Sequence, residues 1–501
     1  MEAGLPIDLG ILLGAGLLTV GVLVVGVSDR LRLPASLVSL GIGMLVGSDG
    51  LGWIALDNMT LVRDISVIAL IIILFEGGLT TKPSALRETG LPGFSLATVG
   101  VLVTAAVTAL GVFLLFDVTW QGAMLMAAVV ASTDAAVVFE LLRHAPLPRR
   151  LAGILEVESG ANDPVAILLT IGVIETITAS TSAADWLTFA FVQLGGGLAL
   201  GLALGWVGTR LLRLRLSSQG LYPLLATGLA GTTYAIAASL GASGYLAVYV
   251  CGLMVGALVP RHRRVIRNFH ASLANGSGIA LFLILGLLIF PAEMLDLSIP
   301  ALAMTAVLVF LARPLAVFVS LLPFRLPWRE QALLSWAGLR GAVPIVLATF
   351  PATAGVPTGE MIFDLIFFVV LISTLLQGTT VVPLAERLGL TADHPAWQSI
   401  AEALPLEGVS VDLVEIPVTA DLPLVGERLA DVPPGPGIQV TMVVRGHQVH
   451  IASGDTVFQE GDLIVLAIDS DNVDVTDTTA WARGELQPRN RVAETAVDEV
   501  H

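Results

Sequence analysis

Charged residues are scarce in this chain: they make up 13% of its 501 residues, whereas 55% are hydrophobic and the mean hydropathy is +0.86. Soluble domains carry about 25% charge, so that class is excluded and a polytopic membrane protein is predicted. Cysteine occurs once, at Cys251, which excludes an intrachain disulfide framework and a cysteine-built zinc site. A basic leader is lacking too, because an acidic leader precedes the first apolar run at about Pro6. That run is predicted to span the membrane and not to be a secretory signal peptide.

Most of the net negative charge lies at the C-terminal end of the chain. From Gly389 onward there are 19 acidic and 5 basic residues, whereas the preceding part has 22 and 20. No basic stripe is available to meet phosphates, so a nucleic-acid partner is not expected.

Apolar runs of roughly 20 residues, the length that crosses a bilayer, predict thirteen spanning helices. They lie near residues 7–27, 34–54, 62–80, 92–116, 120–142, 151–175, 185–209, 219–240, 243–260, 274–292, 299–322, 330–352 and 359–384. Basic residues occur at every second connection, from Arg30 to Arg387, with Arg63 as the one exception. The positive-inside rule then places the N-terminus outside and the C-terminal region in the cytoplasm, with membrane lipid around the spans.

Beyond the last span the character of the sequence changes. Short β-rich runs at 409–418, 438–444, 449–452 and 463–468, separated by Gly- and Pro-containing turns, predict a small cytoplasmic α+β domain, with a short helix starting at 426–430. The predicted organisation is a transmembrane domain at 1–388, a linker at 389–404, the small domain at 405–470 and an acidic, disordered tail at 471–501.

The most informative stretch is 156–164, EVESGANDP, which places carboxylates, a hydroxyl and an amide inside an apolar span. An ionisable group at bilayer depth costs at least about 2.5 kcal/mol and persists mainly beside a water-filled cavity or a bound ion. On a helix, Ser159 and Asp163 are four residues apart, as are Glu158 and Asn162, so their side chains share a broad face. Their oxygens are the ligands that a hard cation such as sodium or potassium prefers.

Three other spans contain polar residues or breaks. The fifth contains Thr133 and Asp134, the eleventh contains Arg313, and the twelfth contains Arg340 among two glycines and a proline. A broken helix is tolerated in a membrane where it lines a cavity, and matching breaks in two halves point to a midplane ion site. The fifth and twelfth spans are seven helices apart. This offset predicts two six-helix inverted repeats with crossing broken helices, after one additional N-terminal helix.

Polar residues nearer the ends of the spans have a simpler interpretation. Glu76, Glu140 and Glu156 lie close to predicted cytoplasmic ends, where a solvated or snorkelling side chain is expected. Three histidines at similar edges are also expected to be solvated, namely His144, His262 and His270. A single Asp or Arg within a span could form only a structural pair, but two acidic clusters together with two arginines favour a functional set.

With these residues assembled, the chain resembles bacterial cation/proton antiporters of the NhaP type, in the superfamily of the animal sodium/proton exchangers. The family signatures occur in the expected order, as Thr133-Asp134, Glu158-Ser159, Asn162-Asp163-Pro164, Arg313-Pro314 and Gly338-Leu339-Arg340-Gly341. Residues from about 409 to 468 resemble the TrkA-C (RCK-C) regulatory module of potassium-transport proteins, and 453–462 match its closing pattern. The nucleotide-binding partner half, with its Gly-rich turn, is absent from the sequence, so NAD is not expected.

The resemblance implies a transporter with no enzymatic activity and no resident cofactor. Asp163 would hold the proton and the monovalent cation in turn. Five other side chains would complete or orient the oxygen shell of Asp163, namely Thr133, Asp134, Glu158, Ser159 and Asn162. Of these, Thr133 and Ser159 would also bind the cation, together with Asp163. Arg340 or Arg313 would neutralise Glu158 or Asp134, and the sequence leaves that pairing open.

The family also implies a homodimer in the bacterial cell (inner) membrane. Spans four to six and eleven to thirteen would carry the site past a scaffold of the remaining helices. Asn162 stands where charge-moving relatives have a second Asp, so the resemblance is to the electroneutral branch, with one proton per monovalent cation. Related C-terminal modules bind small nucleotides between paired copies. This module could therefore bind a nucleotide and regulate transport, or it could serve only to stabilise the dimer.

Three alternatives stay open on the sequence alone. Potassium is favoured over sodium only by analogy with the C-terminal module, so sodium/proton exchange with little potassium transport is the nearest alternative. A cation channel gated by the C-terminal domain is a second, although the chain has no Thr-Val-Gly-Tyr-Gly filter. An intramembrane protease is the most distant, since no His-Glu-x-x-His motif is present.

Overall fold

The chain forms two compact units, Met1–Ala392 and Asp393–His501. The computed structural model describes residues 34–54, 56, 58–81, 83–142, 147–178, 183–259, 262–289, 297–391, 411–419, 422–446, 448–469 and 475–484, with short pieces between 14 and 26.

Helices dominate the described part of the first unit. In chain order they are α1 (Ala35–Val46), α2 (Met59–Thr80), α3 (Pro83–Ser95), α4 (Val101–Leu115), α5 (Trp120–Val129), α6 (Ala135–Leu141), α7 (Arg149–Thr178), α8 (Ala183–Leu211), α9 (Leu221–Ser239), α10 (Gly244–Leu258), α11 (Arg263–Leu287), α12 (Ser298–Ala306), α13 (Arg313–Leu321), α14 (Trp328–Trp336), α15 (Ala342–Thr353) and α16 (Gly359–Leu388). Seven helical segments among the described residues are long and apolar enough to cross a membrane. Every predicted span from the second to the thirteenth overlaps one helix or an interrupted pair, which confirms the helical membrane architecture. The predicted first span, 7–27, lies largely outside the described residues.

Two spans contain a π-helical turn. The turn Leu96–Gly100 separates α3 from α4, and the turn Val307–Ala312 separates α12 from α13. These spans are the fourth and the eleventh, so they differ by the same seven helices as the two broken spans. Matching irregularities at matching positions agree with the predicted inverted repeats. π-helical turns are frequent at functional sites, and the second one ends directly before Arg313.

The fifth span is broken between α5 and α6, and the twelfth between α14 and α15. The two interruptions touch, since the backbone N–H of Asp134 donates to the carbonyl of Leu339 at 2.8 Å. Four helix ends therefore meet at one place in the bundle. The backbone N–H and C=O groups at such ends lack partners within their own helices and need them from elsewhere.

The expectation that His270 is solvated is wrong. α11 begins at Arg263, well before the predicted span, so that His270 lies inside the helix and is 1% exposed. Its Nδ1 is 2.8 Å from the carbonyl oxygen of Ile266 and its Nε2 is 3.2 Å from Thr227 Oγ1. Its ring packs against Phe75, with the centroids 5.1 Å apart. The basic residues in the first turns of α11 concealed the start of this helix in the sequence.

Other polar residues near the span ends also have partners. His262 is half-buried and stacks on Tyr222, with ring centroids 4.2 Å apart. Glu140 Oε1 accepts a hydrogen bond from the backbone N–H of Ala35 at 3.0 Å and so caps the first turn of α1. His144 lies outside the described residues.

The second unit contains a four-stranded antiparallel sheet with the strand order β1-β4-β2-β3. Its strands lie close to the predicted runs: β1 (Val411–Pro417), β2 (Ile438–Arg445), β3 (Gln448–Ile451) and β4 (Asp462–Asp469). The expected helix at 426–430 is absent. These residues form turns and one β-bridge between Arg428 and Val457.

The described residues of this unit extend past residue 470. Helix α17 (Val475–Ala482) carries Trp481, whose Nε1 donates to the carbonyl of Val432 at 3.0 Å. The Trp481 ring packs edge-on against buried Phe458, with centroids 6.3 Å apart. The predicted domain end at residue 470 is therefore too early. Trp481 completes the core of this unit although the segment around it is acidic. The acidic composition led to the wrong prediction that this segment is disordered.

Asp462 is buried and holds the end of the sheet together. Its carboxylate accepts hydrogen bonds from Arg445 Nε and Nη2 at 2.7 and 2.8 Å and from the Gln459 backbone at 2.8 Å. The hydrogen bond from Arg445 is the main cause that lowers the pKa of Asp462 below its ordinary value of 3.8. The ionised Asp462 carboxylate therefore stabilises the fold fully above pH 3.8. This stabilisation is lost as the pH falls through the lower pKa that Asp462 has in the folded state.

We expect Asp462→Asn to destabilise the second unit by about 1.5–3 kcal/mol, because a charge-assisted hydrogen bond is lost. Limited proteolysis of the full-length protein, followed by mass spectrometry, would show faster cleavage between residues 411 and 484. Asp455→Asn, at an exposed turn, is the matched control and should be cleaved like the wild type. Equal cleavage of the two variants would contradict this account of Asp462.

Candidate functional site

The stretch 156–164 lies entirely within α7, as predicted. Pro164 is inside this helix and has no N–H, so the carbonyl of Gly160, four residues earlier, loses its usual helical donor. The helical spacing directs Glu158, Asn162 and Asp163 into the protein, where all three are buried. Ser159 is half-buried.

Glu158 is neutralised by Arg313. The guanidinium binds the carboxylate with two hydrogen bonds, from Nη1 to Oε1 at 2.5 Å and from Nη2 to Oε2 at 3.0 Å. Both side chains are buried, with 1% exposure for Glu158 and 3% for Arg313. Nη2 also donates to the carbonyl of Leu334 at 3.2 Å. A Cβ at position 338 would collide with Arg313, which explains the glycine there. The pairing that the sequence left open is thus resolved for Glu158.

Asn162 and Thr133 form a second polar contact. The Asn162 amide donates from Nδ2 to the carbonyl and to Oγ1 of Thr133, at 3.0 and 2.7 Å. Thr133 Oγ1 in turn lies 3.4 Å from Glu158 Oε1. The oxygen of the Asn162 side chain is buried and accepts no hydrogen bond from the residues that the structure describes. This contact fixes the unwound segment between α5 and α6 against α7 and leaves one amide oxygen available.

Asp163 differs from Glu158 because, in the described part of the chain, no ion pair joins it to a Lys or Arg. The residue is 9% exposed. It lies close enough to Asp134 for the two carboxylates to repel each other. A buried carboxylate without a fixed countercharge is stabilised by binding either a proton or a cation.

Charged side chains also compensate the ends of the broken helices. Arg340 Nη1 donates to the carbonyls of Ala131 and Ser132 at 3.0 and 2.6 Å, just after the C-terminal end of α5. The carboxylate of Asp134 lies against Gly341, directly before the first residue of α15. A cation at a helix C-terminus and an anion at a helix N-terminus are both favourable. Arg340 and Asp134 therefore stabilise the crossing itself.

Ser159 has a comparable role at α6. Its Oγ accepts a hydrogen bond from the backbone N–H of Ala135, the first residue of α6, at 3.1 Å. The structure thus brings all the predicted site residues to one crossing: Thr133, Asp134, Glu158, Ser159, Asn162, Asp163, Arg313 and Arg340.

Two residues of α16 that support the crossing were missed in the sequence. Thr374 Oγ1 donates to the carbonyl of Arg340 at 3.0 Å, and Gln377 Nε2 donates to the carbonyl of Trp336 at 2.8 Å. The two carbonyls that accept these hydrogen bonds belong to the last residue of α14 and to the segment between α14 and α15. Thr374 and Gln377 are both buried polar residues, three positions apart in an apolar span. That spacing was the signal that could have identified them.

We expect Gln377→Leu to lower the free energy of unfolding by about 1–3 kcal/mol, because the part-buried carbonyl of Trp336 loses its donor. Cation/proton exchange should slow as well, since the end of α14 is no longer held. Thermal denaturation in detergent and exchange in liposomes measure the two effects. Thr379→Val, an exposed position whose hydroxyl bonds only within α16, is the control. Wild-type stability and exchange in Gln377→Leu would contradict this role.

A polytopic helical unit with two broken helices that cross beside a buried carboxylate defines an ion-coupled secondary transporter. The comparisons with known proteins agree. The family model described as "Sodium/hydrogen exchanger, transmembrane" matches residues 16–387, and the TrkA-C domain model matches residues 413–477. The chain belongs to the sodium/hydrogen exchanger family, a family of transporters, and its activity is cation/proton antiport.

Several relatives match over most of the chain. A protein named K(+)/H(+) antiporter NhaP2, from Shewanella sp. (strain MR-4), is 39% identical over 90% of this chain and 80% of its own length. K(+)/H(+) antiporter NhaP from Alkalimonas amylolytica is 37% identical over 96% and 84%. Na(+)/H(+) antiporter NhaS2 from a Synechocystis strain is 32% identical over 66% and 63%. The structure of the sodium proton antiporter MjNhaP1 from Methanocaldococcus jannaschii has the same fold, with a TM-score of 0.69 and 24% identity over 76% of this chain and 99% of that one.

Proposed function

We propose that this protein exchanges potassium for protons across the bacterial inner membrane by alternating occupancy of Asp163. The observation that carries the proposal is the contrast between the two buried carboxylates of α7. Glu158 is held by Arg313 in a two-point ion pair, whereas Asp163 has no such partner among the described residues. Of these two carboxylates, Asp163 is the one that gains by binding a proton or an alkali cation. Oxygens of Thr133, Ser159 and Asn162 are suited to complete a cation shell around it.

The exchange is proposed to be electroneutral. Position 162 is an asparagine, whose amide does not titrate and is bound to Thr133. One carboxylate then carries one proton or one monovalent cation, and each crossing of the site moves the same charge. An imposed membrane voltage should leave the rate unchanged.

Potassium is the favoured cation because two relatives that match at least 90% of this chain carry potassium in their names. The TrkA-C match at 413–477 adds a cytoplasmic regulatory domain to the proposal, with a small nucleotide as its ligand. We also propose a homodimer with the N-terminus outside, on the basis of the family and the basic residues at alternate connections. No enzymatic step or resident cofactor is part of the mechanism.

Liposome transport tests this proposal. Purified protein is reconstituted, a pH gradient is imposed, and its dissipation is followed after addition of K⁺, Na⁺ or the bulky cation choline, with and without a membrane voltage. We expect K⁺ to dissipate the gradient faster than Na⁺, no response to choline, and no effect of voltage. Faster exchange with Na⁺ would overturn the assignment to potassium, and a voltage-dependent rate would overturn electroneutrality.

A further inference from the structure

The glycine of the motif, Gly160, faces an aromatic residue on a different helix. A Cβ built at position 160 would meet Tyr249 at 2.6 Å from Oη, 2.8 Å from Cε2 and 3.0 Å from Cζ. The tyrosine ring of α10 therefore lies against the bare backbone of α7. No larger side chain fits at position 160 while the ring is in this place. Gly160 is three residues from Asp163, so this contact lies within one helical turn of the exchange site.

Tyr249 is buried and packs against the end of α2. It is 4% exposed, and its Oη lies 3.5 Å from Thr81 Oγ1, just after the end of α2. α2 and α10 approach each other backbone to backbone, because Cβ atoms at Gly78 and Gly252 would collide with main-chain atoms of the opposite helix. Such glycine contacts leave little room for adjustment. The ring is thus a fixed part of the scaffold, against which α7 of the transport core packs.

An open cavity lies further along α7. This cavity of about 640 Å³ lies between α2, α7, α9, α10 and α15, and it is lined by residues that include Arg63, Ile171, Glu175 and Tyr245. Ile171 is eight residues beyond Asp163 on α7, about 12 Å along the helix. Along α7, Asp163 therefore lies between Gly160, which contacts Tyr249, and Ile171, which lines the cavity.

We propose that Tyr249 is a positioning residue that couples cation transport to proton transport. Its ring closes the path between α7 and α10 at Gly160 while Asp163 communicates with the cavity. The ring blocks passage of protons and hydrated cations between the two faces of the membrane. A sliding core moves Gly160 past the ring, and glycine is required there because any side chain would obstruct this step. The inference rests on the proposed exchange at Asp163 and adds the element that prevents leakage around it.

The test compares exchange and leakage in the same liposomes. Leakage is the decay of a pH gradient when choline is the only cation and a permeant anion balances charge. We expect Tyr249→Ala to leak protons about tenfold faster than the wild type, because the barrier is removed. Tyr249→Phe, which keeps the ring, should remain tight. Tyr245→Ala, one helical turn away and facing the open cavity, is the matched control and should also remain tight.

Two further variants separate a barrier from simple packing. Gly160→Ala should slow exchange about tenfold by obstructing the ring, and Tyr249→Ala in that background should restore movement. If Tyr249→Ala fails to fold, Tyr249→Leu keeps part of the apolar packing but lacks the Cε2, Cζ and Oη atoms that contact Gly160, so it should still leak. A tight Tyr249→Ala or Tyr249→Leu protein, or Gly160→Ala with wild-type exchange, would overturn the role of Tyr249. A wild-type protein that does not exchange cations for protons would overturn the proposed function instead.

Discussion

We expect Asp163→Asn to abolish exchange of cations for protons driven by a pH gradient, while the protein should still fold and purify as the wild type does. The amide has nearly the same shape as the carboxylate, but it neither binds a proton in the relevant range nor supplies the negative charge that a cation requires. Because no Lys or Arg pairs with Asp163 in the described part of the chain, neutralising it leaves no buried charge unpaired. Loss of transport is therefore expected without loss of stability.

Exchange in liposomes with K⁺ and with Na⁺, together with thermal denaturation in detergent, measures this prediction. Asp117→Asn is the matched control, since it makes the same chemical change at an exposed position between α4 and α5. It should exchange cations at the wild-type rate. Exchange by Asp163→Asn at a rate comparable with that of Asp117→Asn would remove Asp163 from the central role.

Arg313→Met should be the most destabilising single change at the site. It leaves the carboxylate of Glu158 buried and unpaired, and removing one partner of a buried ion pair typically costs about 3–5 kcal/mol. Adding Glu158→Gln to Arg313→Met removes the stranded charge, so the double variant should recover most of the lost stability. This recovery distinguishes a charge pair from a mere loss of packing around a long side chain.

Thermal denaturation of the three variants in detergent checks the prediction. Arg150→Met is the control, because the Arg150–Glu330 pair is 3.9 Å long and its arginine is half-exposed. A pair this long, with a half-exposed arginine, is worth about 0–1 kcal/mol. If Arg313→Met were no less stable than Arg150→Met, or if the double variant were as unstable as Arg313→Met, the ion pair would not hold the site together.

The elements of the first unit were predictable because lipid imposes a simple rule on the sequence. Long apolar runs predicted α7 and α16, and the glycines and proline around Arg340 predicted the break between α14 and α15. The motif residues of α7 could be placed on one face from their spacing alone. These features depend on local sequence, which is why they could be predicted without coordinates.

The partners of these residues depend on contacts between distant helices and could not be predicted. Arg313 and Arg340 looked interchangeable in the sequence, yet one binds Glu158 and the other caps α5. Tyr249 lies in an apolar run, and its proposed role follows only from its contact with Gly160 on another helix. His270 was misplaced because arginines in the first turns of α11 resembled a loop. In each case the missing information was which helix lies opposite.

The central claim is that one carboxylate binds a proton and an alkali cation in competition, so that binding of one releases the other. Adding K⁺ to purified wild-type protein in weakly buffered detergent solution, with a pH indicator present, measures this directly. We predict release of about one proton per chain from the wild type, as expected when a cation displaces a proton from its ligand, and none from Asp163→Asn. Potassium binding without proton release, or equal release from both proteins, would contradict the account.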